Sequence, residues 1–211
     1  MQRYSSAVAK ASSSAYRGGL MRRSHVAVPN VDVFINHRGI DTKRTVSGLL
    51  YDHLSAGLRV NSFLDSKNMK PGDRLFDNIE AAIRRCKVGV AVFSPRYCDS
   101  YFCLHELALM MESRKRVVPI FCDVKPSELF VKDRGDCPST ELRRFTRALE
   151  EAKYTVGLAF DTHSGDWSEF MRTATDAVLK NLMEVEGGRH RQLGYSDKNR
   201  KYIVQRMNRR R

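Results

Sequence analysis

Two residues with chemical potential stand four apart in the stretch Ser94-Pro95-Arg96-Tyr97-Cys98-Asp99-Ser100-Tyr101-Phe102-Cys103-Leu104-His105-Glu106-Leu107: the aromatic ring of Phe102 and the carboxylic acid of Glu106. At helical pitch that spacing stacks them on one face. Leu104, Leu107, Ala108 and Met111 recur at i, i+3, i+4 and i+7, a core-facing stripe on a helix that runs to about Arg114. Glu106 and Phe102 are therefore expected on the outward side, off the core. The apolar run Val88 to Phe93 just before reads as a buried strand. Ligands of open α/β sheets bind past the C-terminal ends of strands, and this pair stands there. Spacing alone also admits a solvated glutamate beside an incidentally exposed phenylalanine.

The elements that must position the pair alternate along the chain. Val31 to Asn36 reads as a first strand, followed by the polar turn His37-Arg38-Gly39-Ile40-Asp41-Thr42 and a helix marked by Leu49, Leu50, His53, Leu54 and Leu58. Val60 to Leu64 is a short second strand, and Asp65 to Asp73, with its Pro-Gly, a loop. Helical period returns at Leu75, Ile79, Ala82 and Ile83. After the Glu106 helix, Val117 to Cys122 is a fourth strand whose Pro119 suggests an early or edge position. A polar stretch, a helix from about Thr140 to Ala152, a weak strand near Thr155–Phe160 and a helix from about Trp167 to Met183 complete the pattern. Five alternations predict an α/β fold: one three-layer domain, a parallel sheet with right-handed crossovers and helices on both faces.

The net charge of +13 on 211 residues looks like a nucleic-acid signal until it is divided. Residues 1–27 hold five basic residues and no acid, and 187–211 hold nine and one. The span 28–186 keeps 23 of each sign, so the domain is neutral and the excess belongs to the ends. Domain boundaries are expected at those points. The leader, rich in Ser, Ala and Arg, reads as disordered or as an organelle transit segment, and the tail after Gly187-Gly188 as a disordered basic end. Five cysteines without a CxxC pair point to free thiols in a reducing compartment, four of them within or beside apolar runs. His and Cys never fall at ligand spacing, so no metal site is expected. No apolar run is long enough to span a membrane.

Several nucleotide chemistries are excluded by what the first turn lacks. NHRGIDTK has one glycine, not the three of the dinucleotide fingerprint, and neither GK[ST] nor GxSxG occurs. Four segments in order do match a pattern: DVFINHRGIDTKRT, FLDSKNMKPGDRLFDNI, AVFSPRYCDSYFCLHELALMME and VVPIFCDVKPSEL. They resemble the first-strand motif, the BB loop, the CLxEL helix and the PIFYDVxPS strand of plant Toll/interleukin-1 receptor (TIR) domains, over roughly residues 28–185. The chain resembles a TIR-only protein, without the nucleotide-binding switch or leucine-rich repeats that accompany many such domains. The resemblance implies a five-stranded sheet of flavodoxin-like order.

It also implies an activity. Many plant TIR domains cleave NAD⁺ at the nicotinamide–ribose bond, giving nicotinamide and ADP-ribose or a cyclic isomer, in immune and cell-death signalling. The family's catalytic glutamate falls on Glu106 and its neighbouring aromatic, usually Trp, on Phe102. The substrate loop falls on His37, Arg38, Gly39, Ile40, Asp41 and Thr42, and the BB-loop glycine on Gly72. His37 stands for the usual Phe and Ile40 for the usual Glu, departures that bear on rate and product rather than reaction type. NAD⁺ or NADP⁺ enters as substrate, with no cofactor bound permanently. One carboxylate can serve because the leaving group is already a cationic pyridinium and departs neutral without a proton.

Plainer roles stand beside these. Arg38 could pair with a surface acid, Gly39 and Gly72 could be turn glycines, Asp41 suits the N-cap of the following helix, and His105 reads as a surface residue. Expected partners are NAD⁺, other copies through TIR surfaces and other TIR proteins, with nucleic acid a further candidate for the basic tail. The alternative to an enzyme is a non-catalytic adaptor that signals by TIR–TIR association. A cytoplasmic location is expected, with nucleus and chloroplast as alternatives.

Overall fold

Strand and helix alternate in the computed structural model as their periods require, and it describes residues 30–193 apart from 134 and 136. The basic leader and the cationic clusters at 198–201 and 209–211 lie outside those residues. The strands are β1 (Val33–His37), β2 (Ser62–Phe63), β3 (Val88–Phe93), β4 (Arg116–Cys122) and β5 (Leu158–Phe160). The main helices are α1 (Val46–Asp52), α2 (Leu75–Arg85), α3 (Tyr101–Glu112), α4 (Ser139–Lys153) and α5 (Trp167–Leu193). Every strand pair is parallel. Their order is β2-β1-β3-β4-β5, the flavodoxin-like order expected.

Alternation along the strands builds two cores. Phe34, Ala91, Phe93 and Phe121 pack with Ile79, Ile83, Leu107, Met110, Phe145 and Leu149, so α2, α3 and α4 cover one face. Val33, Ile35, Val90, Val92 and Ile120 pack with Leu50, Leu54, Met171, Ala174 and Val178, so α1 and α5 cover the other. This is the three-layer sandwich the alternation predicts. It places the reversal of strand order between β1 and β3, where β2 lies to one side and β4 to the other.

The differences from expectation have local causes. α1 ends in a π-helical turn, His53–Gly57, whose wider winding carries Leu58 partly off the core; Leu49 faces solvent beside the buried Leu50. Leu75 is likewise exposed at the start of α2. The loop after β2 contains a one-turn helix, Asp65–Asn68. α3 buries Cys103, Leu109 and Met110 as well as its expected stripe, while Met111 is only half-buried, because α2 and α4 flank a helix that already rests on the sheet. α5 runs through Gly187 and Gly188 to Leu193. Lys87, between Asp32 and Glu186 at 2.7 Å each, ties α5 to the entry of the central strands.

β4 is not an edge strand, contrary to the expectation from Pro119. It pairs with β3 through Ala91↔Pro119 and with β5 only from Ile120↔Leu158 onward. The missing N–H thus falls one residue before the β5 ladder begins. Gly157 sits against that point, and a Cβ there would lie 2.7 Å from the Pro119 carbonyl oxygen and 2.8 Å from the Phe121 ring. Gly157→Ala is expected to overpack this corner at a cost of about 2 kcal/mol. Thermal denaturation should read that as a Tm lowered by about 5 °C; an unchanged Tm would mean that β5 shifts freely.

Candidate active site

The last residues of β1 turn their side chains to opposite layers. Asn36 follows Phe34 toward α3, and it is fully buried. Its amide Nδ2 donates to Glu106 Oε2 at 2.8 Å and to the Cys103 carbonyl at 3.2 Å. The hydroxyl of Tyr97, also fully buried, donates to Asn36 Oδ1. Cys103 completes the joint: its thiol donates to the His37 carbonyl at 3.3 Å, and its N–H donates to the N-cap hydroxyl of Ser100 at 3.4 Å. The N-terminal turn of α3 is thereby fastened to the end of β1, and Glu106 is delivered to the point where strand order reverses.

Glu106 is not on an outward, solvated face. It shares a helix side with Phe102 as expected, but that side turns toward the rim of the sheet, and Glu106 is partly buried. Burial, opposed by the Asn36 hydrogen bond and reinforced by the Asp65 carboxylate, pushes its carboxyl up to about 8. Burial also holds Tyr97 well above the ordinary phenol range, so its hydroxyl keeps its proton, and raises the Cys103 thiol to about 12. Phe102 is no free wall. Its ring stacks on Phe76 of α2 at 5.3 Å, and Phe76 meets His105 edge-on at 6.2 Å. His105 is not a simple surface residue either: its ring stacks on Tyr101 and its Nδ1 lies 3.2 Å from Arg144. Burial and the Arg144 charge lower its basicity.

The β1 loop supplies the polar surroundings. His37 is buried, 3.9 Å from Asp65, with its Nε2 unbonded and its basicity lowered by burial. Arg38 Nε is likewise buried without a hydrogen-bond partner, a donor still to be used. Thr42 is buried and accepts from Ser47 at 2.9 Å. Ile40 is 63% exposed, and a Cβ on Gly39 would lie 4.0 Å from His37 Nε2, an ordinary contact. Asp41 lies inside the one-turn helix Gly39–Thr42 and caps nothing, which corrects the N-cap expectation. It accepts instead from Ser94 Oγ at 2.7 Å and pairs with Arg96 through Nε at 2.8 Å and Nη2 at 2.5 Å. Gly72 has φ +97° in an exposed turn closed by Asp73, a backbone that favours glycine whether or not a ligand is near.

The tertiary structure thus brings Glu106, Asn36, Tyr97 and Cys103 together and ties the Asp41 loop to the β3–α3 turn; a Cβ on Gly72 would have no neighbour within 4 Å. Asn36, Tyr97 and Phe76 were missed from the sequence. Asn36 carried a visible signal, a polar residue ending the apolar run VFIN, and Tyr97 lay within the segment that resembles the CLxEL helix motif, whereas Phe76 carried none. Cys86, Cys103 and Cys122 are buried free thiols. Among the described residues no group of three or more His, Cys, Asp or Glu is placed to hold a metal ion. The arrangement can present one carboxyl near its protonation balance, one arginine donor and an aromatic pair.

Known proteins share this architecture. The chain is 54% identical over 160 residues, 74% of its length and 70% of the relative's, to BdTIR of Brachypodium distachyon, named a probable 2′ cyclic ADP-D-ribose synthase. It is 36% identical to TMV resistance protein N of Nicotiana glutinosa, over 73% of this chain but 15% of that one. The TIR domains of the activated Roq1 resistosome, which directly recognises the pathogen effector XopQ, superpose with a TM-score of 0.60 at 27% identity, covering 70% of this chain and 99% of that one. A family profile described as TIR domain matches residues 33–143. With more than half of its residues in that profile, and with plant relatives at this identity, the chain belongs to the TIR domain family.

Proposed function

We propose that residues 28–186 form a TIR enzyme that cleaves NAD⁺ between nicotinamide and ribose and signals in plant immunity and cell death. The observation that carries this reading is the Glu106 carboxyl, held by Asn36 at the reversal of strand order and partly withdrawn from water. The 54% identity to BdTIR, named for synthesis of a cyclic ADP-ribose, supports it. In the reaction the C–N bond breaks with its electron pair going to the pyridinium nitrogen, and nicotinamide leaves neutral. Positive charge moves onto the ribose, where ionised Glu106 stabilises it. Water then yields ADP-ribose and a proton; a hydroxyl from the adenosine end of the same molecule yields a cyclic isomer and a proton. A closed pocket favours the second route.

The remaining assignments follow the same chemistry. Arg38, with its unused buried Nε, is the donor for pyrophosphate. Phe102 and Phe76 form the apolar floor, while His37, Gly39, Ile40, Asp41 and Thr42 shape the loop and Gly72 the neighbouring turn. Burial raises the Glu106 carboxyl to about 8, and a bound cation favours its ionised form. No metal is invoked and NAD⁺ is the substrate, with NADP⁺ a second. Self-association completes the site in this reading. The compartment is cytoplasmic, in keeping with the buried thiols of Cys86, Cys103 and Cys122; no described helix is long and apolar enough to cross a membrane.

The test is incubation of purified full chain with NAD⁺, following nicotinamide and the product's mass and retention time. Nicotinamide release that rises more than linearly with protein concentration is the expected result. Absence of nicotinamide at every concentration, with association between TIR domains retained, would instead establish a non-catalytic adaptor.

A further inference from the structure

Asn36 is the penultimate residue of β1, and nothing in the reaction as written uses it. Yet it is the direct partner of the one carboxyl on which the reaction depends. We propose that Asn36, its amide oriented by Tyr97, is a positioning residue that fixes which oxygen of Glu106 faces the substrate ribose. The proposal rests on the NAD⁺ cleavage reading and extends it to how that carboxyl is aimed.

A primary amide has two N–H donors at one end and one acceptor oxygen at the other. Tyr97 donates to the oxygen end, Oδ1. The nitrogen end donates to the Cys103 carbonyl at 3.2 Å and to Glu106 Oε2 at 2.8 Å. A flipped amide would set its oxygen against two other acceptors, so the two contacts at the nitrogen end fix the orientation. The Tyr97 hydroxyl, also 3.2 Å from the Cys103 carbonyl, matches it by donating to Oδ1. Tyr97 is itself immobile, fully buried with its ring packed on Phe93 at 4.7 Å, and its hydroxyl keeps its proton throughout the working pH range.

The consequence falls on Glu106. Oε2 accepts the Asn36 N–H, whereas Oε1 makes no hydrogen bond among the described residues and is not one of their buried unpaired polar atoms. A proton on this carboxyl must therefore sit on Oε1, since Oε2 already accepts. Below the titration the site sees an O–H, and above it a lone pair, at one fixed place. The titration is set by burial and the Asp65 carboxylate after β2, which raise it, and by the Asn36 hydrogen bond, which favours the ionised form. Tyr97 before α3 and Cys103 on the same helix face the carboxyl and are themselves raised by burial and by its charge, so both stay neutral.

The experiment compares Asn36→Leu, Asn36→Asp and Tyr97→Phe in the full chain, with circular dichroism and Tm establishing that each folds. Asn36→Leu keeps the volume and removes the donor; kcat is expected to fall about 10–100-fold, with KM for NAD⁺ changed little. Its pH profile should move to higher pH, because the ionised carboxyl has lost its donor. Asn36→Asp should retain activity only where the new acid is protonated and can donate, so the profile gains a falling alkaline limb. Tyr97→Phe should shift the profile in the same direction as Asn36→Leu with a smaller loss. Should Asn36→Leu fold and keep kcat and pH profile, the proposal is overturned. A titration of the Glu106 carboxyl by carbon NMR without substrate separates the two readings. An upward shift in Asn36→Leu supports the contact whatever the activity, and an unchanged titration overturns it even if NAD⁺ is cleaved. An active enzyme whose Glu106→Gln variant works normally would sink the catalytic reading instead.

Discussion

Glu106→Gln is expected to lower nicotinamide release by about 100-fold or more and, at alkaline pH, to stabilise the fold. The loss follows from replacing the group that meets developing positive charge with a neutral amide of equal size. The gain follows from linkage. Burial raises the folded carboxyl from 4.5 to about 8, so between those values the native protein holds a proton that the unfolded chain releases. The contribution of Glu106 to stability is complete below about 4.5, declines as pH rises, and levels off above about 8. Glutamine carries no such penalty. With the carboxyl partly open to solvent, the difference at pH 8.5 is about 2 kcal/mol, discounted from the full shift. Tm should then rise by about 4–8 °C at pH 8.5 and hardly at all at pH 5. Calorimetry at the two pH values checks the sign. A variant less stable than the parent at pH 8.5 would contradict a buried, proton-holding carboxyl, and unaltered turnover would contradict its catalytic role.

Asp41→Ala is expected to cost both stability and activity although Asp41 touches neither Glu106 nor an aromatic of the site. Its carboxylate, only 8% exposed, accepts from the Ser94 hydroxyl and the Arg96 guanidinium, and from the Arg96 N–H at 3.3 Å. It is the clasp between the β1 loop and the turn that leads into α3. Alanine leaves those donors without an acceptor, at about 2–3 kcal/mol. The loop that carries Arg38 then loses its fixed distance from the helix that carries Glu106, and misplacement of that order lowers kcat/KM about 10–100-fold. Asp41→Asn keeps an acceptor and should recover part of both losses. If Asp41→Ala matched the parent in Tm and kcat/KM, the clasp would have no role. Ile40, one residue earlier and exposed, offers the contrast: Ile40→Ala should leave Tm unchanged within about 1 °C.

Much of this molecule is written locally. The run VGVAVF can be little other than a buried strand, and the charge-neutral span 28–186 with five alternations leads to a sandwiched parallel sheet. The position of Glu106 just beyond β3 follows from the same local order, as do the segments that resemble the TIR pattern. What the sequence could not settle was the meaning of the face that Glu106 occupies. Period alone makes it the side away from the core stripe, and hence solvent. Only the tertiary structure turns that side toward the end of β1, because strand order sets β1 beside β3 and carries α3 across both.

The decisive contacts join residues far apart in the chain: Asn36 to Glu106 across 70 positions, Tyr97 to Asn36 across 61, Asp41 to Arg96 across 55. Pro119 shows the same limit, since its place one residue ahead of the β5 ladder depends on a register between strands nearly 40 residues apart. Periodicity is a property of neighbours, so the sequence by itself determined which residues form each element and which of their faces are apolar. Pairing order, register and the hydrogen bonds that aim one carboxyl depend on which elements come to lie together, and that was decided only when the whole sheet closed around its two cores.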